Sequence, residues 1–200
     1  LFRSATLSGT LGKAPAYIGS KFDLHLDGSN ANSVVSAFGI DMLPEKPFNL
    51  NSRLELVENG LRVERGVLVT FDDERLELDG FIAFDKASQG TSLAIKVSGR
   101  HFAKVLGRYA INIEMPDSPY EFAGHIQVEE EGIRLDKLSL GYEDISLEAS
   151  GLMKLADQLS GTALDFQISG DNLSALKKFP AIGDSMDIFV PGQAYQAAGR

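Results

Sequence analysis

The heptapeptide FDLHLDG (22–28) returns as LAIKVSG (93–99) and again as LDFQISG (164–170), at an interval of 71 residues both times. Three alternating segments at one interval predict an internal repeat, and a repeat limits the fold more than any single motif does. Three glycine columns keep the same interval: Gly9, Gly80 and Gly151; Gly19, Gly90 and Gly161; Gly28, Gly99 and Gly170. Glycine fills about 7% of positions in ordinary proteins, so chance does not account for three such columns. PFNLNSRLELVENGLRVERG (47–66) matches PYEFAGHIQVEEEGIRLDKL (119–138) at an interval of 72, and DERLELDG then matches EDISLEASG at 71. The predicted organisation is a partial repeat over 1–19, repeats over 20–90 and 91–161, and a partial repeat over 162–200.

Within each unit the alternation is that of half-buried strands. Phe22, Leu24 and Leu26 share one side against Asp23, His25 and Asp27. Phe48, Leu50, Ser52, Leu54 and Leu56 share a face, as do Tyr120, Phe122, Gly124, Ile126 and Val128. Glu58, Asn59 and Gly60 predict a hairpin turn, and so do Glu130, Glu131 and Gly132. The next strand groups Leu61, Val63, Val67 and Val69, with a parity break near Arg65 and Gly66 that predicts a bulge. Its counterpart carries Ile133, Leu135, Leu138 and Leu140. Asp72, Asp73 and Glu74 turn the chain into a strand with Leu76, Leu78, Ile82 and Phe84, interrupted at Gly80. Ala5, Leu7 and Gly9 predict a short strand at the start.

A two-turn helix is predicted after the first strand of each unit. GSNANSVVSAFG offers Ser29 or Asn30 as cap, RHFAKVLG places Phe102, Val105 and Leu106 on one side, and GDNLSALKKFP carries a Leu173, Leu176, Phe179 stripe. Helices this short need the sheet to hold them. Four strands is an even number, so each unit starts in the same direction and the sheet can extend by roughly 19 Å per unit, at about 4.8 Å per strand. The fold class expected is mainly β: an elongated, twisted antiparallel sheet of ~71-residue repeats, each of four strands plus one short helix, its apolar side either closed over internally or curled into an apolar groove.

Composition excludes several functions. The formal charge of −9 disfavours nucleic acid as a partner. There is no cysteine, which removes disulfides, thiolate metal sites and cysteine nucleophiles. His25, His101 and His125 lie on different elements without metal-ligand spacing, and no nucleophilic triad, phosphate loop or carboxylate pair can be assembled. Neither enzymatic activity nor a cofactor or metal is expected. No apolar run is long enough to span a membrane as a helix. The first and last residues lie inside repeat phrases, so the chain reads as a piece of a longer protein, and edge-to-edge dimers of such a piece are expected as a non-native association.

What stands out is the apolar side of every strand. It must be covered by a second sheet or the helices, or else remain as a groove for an apolar ligand. Parity marks Phe22, Leu24, Phe48, Leu50, Leu54, Leu93, Ile95, Phe122, Ile126, Leu164 and Phe166 as candidates for the floor of a lipid groove.

The order of these phrases resembles the repetitive carboxy-terminal region of the AsmA-like family. The similarity is carried by PYEFAGHIQVEEEGIRLDKLSLGYEDISLEASG followed by ALDFQISGDNLSALKKF, and by FDLHLDGSNANSVVSAFGIDMLPEKPFNLNSRLELVENGLRVERG. It covers almost the whole chain. The family has no catalytic motif, so no functional residue carries over. The resemblance implies a Gram-negative envelope protein anchored in the inner membrane, with its bulk in the periplasm. It implies a bridge-like lipid carrier that shields phospholipid acyl chains on the way to the outer membrane, or helps maintain that membrane. The contrasting expectation is a structural or protein-binding repeat module with a closed apolar core.

Overall fold

A computed structural model describes residues 2–33, 45–70, 74–85, 87–108, 117–154, 161–173 and 193–199. Among these residues eleven strands make one antiparallel sheet in which each strand pairs with its neighbour in sequence, and the sheet does not close into a barrel. They are β1 (Phe2–Thr10), β2 (Lys21–Gly28), β3 (Phe48–Val57), β4 (Gly60–Thr70), β5 (Arg75–Ala83), β6 (Ser92–Gly99), β7 (Tyr120–Glu129), β8 (Gly132–Tyr142), β9 (Ile145–Met153), β10 (Ala163–Gly170) and β11 (Tyr195–Gly199). One helix, α1 (Phe102–Arg108), lies between β6 and β7. Among the described residues no helix is long and apolar enough to cross a membrane. The chain forms two compact units, Leu1–Val97 with Ile126–Glu130, and Ser98–His125 with Glu131–Arg200.

The glycine columns sit where strands come too close for a side chain. A Cβ at Gly9 would run into the Lys21 carbonyl oxygen, one at Gly80 into that of Ser92, and one at Gly151 into that of Ala163. Gly28, Gly99 and Gly170 each lie under an aromatic ring, those of Phe48, Tyr120 and Tyr195. Gly19, Gly90 and Gly161 have φ of 82°, 83° and 78°, a left-handed conformation that closes the connection before β2, β6 and β10.

A hydroxyl ties each of these connections shut. Ser20 Oγ accepts the Gly12 N–H at 2.9 Å, Thr91 Oγ1 accepts the Ala83 N–H at 3.0 Å, and Thr162 Oγ1 accepts the Lys154 N–H at 3.1 Å. The backbone then locks to a strand beyond: Gly19 N–H donates to the Leu56 carbonyl and Leu56 N–H to that of Ser20, while Gly90 donates to Val128 and Val128 to Thr91. Past the C-terminal ends of β2, β6 and β10 three more backbone bonds hold the segments that follow. Ala31 donates to Lys46, Phe102 to Ser118 and Leu173 to Gln193.

The hairpin turns form as expected, with Asn59 at φ 61° between paired Val57 and Gly60. The bulge also forms: β4 carries one extra residue between Val63 and Gly66 against β5, and β8 does so between Leu135 and Leu138 against β9. The parity break therefore puts Val67 and Val69 on the face opposite to that of Leu61 and Val63. Past the bulge Gly66 and Leu68 fall opposite Ser52 and Leu50, while Val67 and Val69 fall opposite Asn51 and Asn49. Gly80 does not interrupt β5 but lies inside it, and Phe84 stands just beyond the strand, exposed.

Of the expected helices, α1 forms with Phe102 packed on Tyr120 and Tyr142, ring centroids 5.0 and 5.3 Å away. In the first insert the Asn30 Oδ1 accepts the Ser33 N–H at 3.3 Å. Val34, Val35 and Phe38, and Leu176 and Phe179 of the third insert, lie outside the described residues, as do Asp72 and Asp73. In the first unit the core is a cluster of Ala31, Phe48 and Leu68 with Leu26, Leu50 and Leu76 against it.

Candidate functional site: the apolar face of the sheet

Register sorts the side chains into cross-strand rows. In the first unit one row runs Ala5, Leu26, Leu50, Leu68, Leu76, and the next Leu7, Leu24, Ser52, Gly66, Leu78. A third runs Gly9, Phe22, Leu54, Val63, Gly80. In the second unit the rows include Leu140, Leu147, Ile168, Ala197 and Leu138, Ala149, Phe166, Gly199. The same alternation that forms the strands thus sets an apolar strip across each unit.

Burial varies along the strip. Phe48, at 3% exposure, belongs to the buried cluster beside Ala31. Phe22, Leu24, Leu50, Leu54, Leu93, Ile95, Phe122, Ile126 and Leu164 are half-buried. Phe166 is 45% exposed, since its row neighbours Ala149 and Gly199 are too small to cover its ring. Register brings Phe22 together with Leu54, and Leu26 with Leu50, but sets Leu24 against Ser52. Among the described residues every strand belongs to the one sheet, so no second sheet lies over this strip.

The opposite face of the first unit is polar. Asp23 faces Arg53 across the strands, with a 2.9 Å ion pair, and Glu55 takes Arg62 at 2.7 Å. His25 lies between Asn51 Oδ1, 2.7 Å from its Nδ1, and Asp27 Oδ2, 2.9 Å from its Nε2. The Asn51 bond, with the Asp27 charge behind it, raises the His25 pKa. Asp27 accepts from Ser4 Oγ and Asn49 Nδ2, and these bonds lower its pKa. His25 therefore belongs to a hydrogen-bonded surface lattice rather than standing alone. His101 bonds Asp117 at 2.7 Å. Among the described residues no group of three or more His, Cys, Asp or Glu is placed to hold a metal ion.

Leu68 escaped the sequence reading because the bulge could be placed one residue to either side. Ser20, Thr91 and Thr162 also escaped it, although they stand at the 71-residue interval and that spacing was there to be seen. Chemically, the strip can shelter apolar ligands, and each methylene removed from water is worth about 0.8 kcal/mol. No protein-family model, curated protein or solved structure matches the chain.

Proposed function

We propose that this chain is a lipid-handling segment of an envelope protein, in which the apolar strip shelters phospholipid acyl chains while headgroups face water. The observation that carries the reading is the strip itself: half-buried Phe22, Leu24, Leu50 and Leu54 in register, with no second sheet over them among the described residues. Its rows, apolar apart from Ser52, offer no single deep well, which suits a ligand that must slide. On this reading the sheet is elongated and curls into a trough. The parent is anchored in the inner membrane and works in the periplasm, moving phospholipid toward the outer membrane or maintaining it. The segment performs no catalysis. Its location rests on the resemblance to the AsmA-like family.

The trough is assembled from units of about 71 residues, each of four strands and a helical insert. Supporting this, the hydroxyl ties at Ser20, Thr91 and Thr162 and the glycine approaches at Gly9, Gly80 and Gly151 recur at that interval. A competing reading, a protein-binding module with a closed core, draws on the buried Ala31, Phe48 and Leu68 cluster.

Photo-crosslinking residues separate the two. Placed at Leu24 and Leu54 in a Gram-negative host, they should capture phospholipid, and placed at Asp23 and Arg53 on the opposite face they should not. Capture from neither face, in variants that melt like the parent chain, would sink the lipid reading.

A further inference from the structure

The geometry points to a binding site for a saccharide carrying one anionic group, in a groove on the polar face of the first unit, with Arg53 and Arg65 holding the anion. The groove crosses β1 to β4 and has a volume of about 420 Å³, within the range of small-molecule sites. It lies on the face opposite the apolar strip, so it does not rest on the lipid reading. Cross-strand neighbours on this face otherwise pair opposite charges: Asp23 with Arg53, Lys21 with Glu55, Glu55 with Arg62. Arg65 breaks the pattern, standing directly opposite Arg53, and like charges so placed repel. Arg53 gives its Nε to Asp23 at 2.9 Å. Arg65 is exposed and has no acceptor among the described residues. The 72-residue interval puts His125 and Lys137 in the same two positions, again both basic. On a chain of formal charge −9 a recurring basic couple calls for an anion that the chain does not supply.

Two guanidinium forks side by side match the oxygens of a phosphate or carboxylate. An anion between them replaces the repulsion with two attractions. The rest of the groove suits hydroxyl groups. Ser8, Asp23, Arg53 and Arg65 form one row across the four strands, and Thr6, His25 and Asn51 belong to the next. The Thr6 and Ser8 hydroxyls are exposed and have no partner among the described residues. They offer both donors and acceptors, as the hydroxyls of a sugar ring require. Two carboxylates also line the groove, Asp23 on Arg53 and Glu64 at 3.8 Å from Lys21. They repel any further negative charge on the ligand. The site therefore takes one anionic group joined to a hydroxyl-rich body, and rejects a polyanion.

Proton–nitrogen NMR titration of the whole chain at low ionic strength tests this with four probes: glucose 6-phosphate, glucuronate, glucose and inorganic phosphate. One or both of the charged sugars should shift the amides of Thr6, Ser8, Arg53 and Arg65, and the tighter of the two identifies the anion. Glucose and inorganic phosphate should each bind at least tenfold more weakly than that sugar, since each satisfies half of the site. Arg65→Glu sets an opposite charge against Arg53. It should weaken binding at least tenfold and at the same time raise the melting temperature, which separates loss of the site from loss of the fold. Four results would each overturn the proposal. These are no shift with either charged sugar at millimolar concentration, inorganic phosphate binding as tightly as the better sugar, unchanged affinity in Arg65→Glu, and a lowered melting temperature in that variant, which would make Arg65 a residue of the fold.

Discussion

The Thr91 side-chain oxygen accepts the backbone N–H of Ala83, eight residues earlier, at 3.0 Å, and both residues are buried. Water has no access to replace that bond. Thr91→Val keeps the shape and strands the Ala83 N–H, which should cost about 1–3 kcal/mol. Thr91→Ser keeps the oxygen and loses one methyl, so it should cost about 0.8 kcal/mol or less. Urea unfolding of the two variants measures the difference.

Gly80 and Gly107 should respond in opposite directions to alanine. Gly80 has φ of 137° and faces the Ser92 carbonyl oxygen, so Gly80→Ala should destabilise by roughly 1–3 kcal/mol from backbone strain alone. Gly107 lies in α1 with open space around its Cα, and Gly107→Ala should stabilise by about 0.5–1 kcal/mol. Thermal melts of both variants check the signs.

Leu68 and Val67 are adjacent in β4 and so lie on opposite faces, and the bulge before them decides that Leu68, not Val67, takes the core face. Leu68 is 4% exposed in the core, and Leu68→Ala should cost about 2–5 kcal/mol. Val67 lies across from Asn51 and is half-buried, so Val67→Thr should cost less than about 1 kcal/mol. Equal costs would mean that the bulge is misplaced.

Most strands were legible because one residue in two is apolar over six to ten positions, and turns such as Glu58 and Asn59 carry their own chemistry. The placement of Gly28 and Gly99 was visible as a column, but its cause was not, since only packing reveals the rings of Phe48 and Tyr120 above them. Leu68 was missed because a bulge moves parity by one residue and alternation alone does not say where. The lipid floor was legible as a face; how covered each residue is depends on neighbours such as Ala149 beside Phe166, which no pattern in one strand encodes.

The polar lattice makes stability depend on pH. The His25 pKa is raised, so its contribution is full below the ordinary value of 6.5 and fades as pH climbs through the raised one. Asp27 is lowered, so its contribution is full above the ordinary 3.8 and fades as pH falls through the lowered one. Together they favour the folded state most between those ordinary values. Proton NMR titration should find His25 titrating above 6.5, and Asn51→Ala should bring it down. An unchanged titration in Asn51→Ala would remove Asn51 as the cause.

Whether the apolar strip carries lipid is best settled by native mass spectrometry of the chain purified gently from a Gram-negative host, with lipid extraction in parallel. The account predicts bound phospholipid at near-stoichiometric level, reduced when Leu24 and Leu54 are both replaced by serine. A bare protein mass, together with no uptake of a fluorescent acyl probe, would contradict it and leave the strip as the inner face of a closed scaffold.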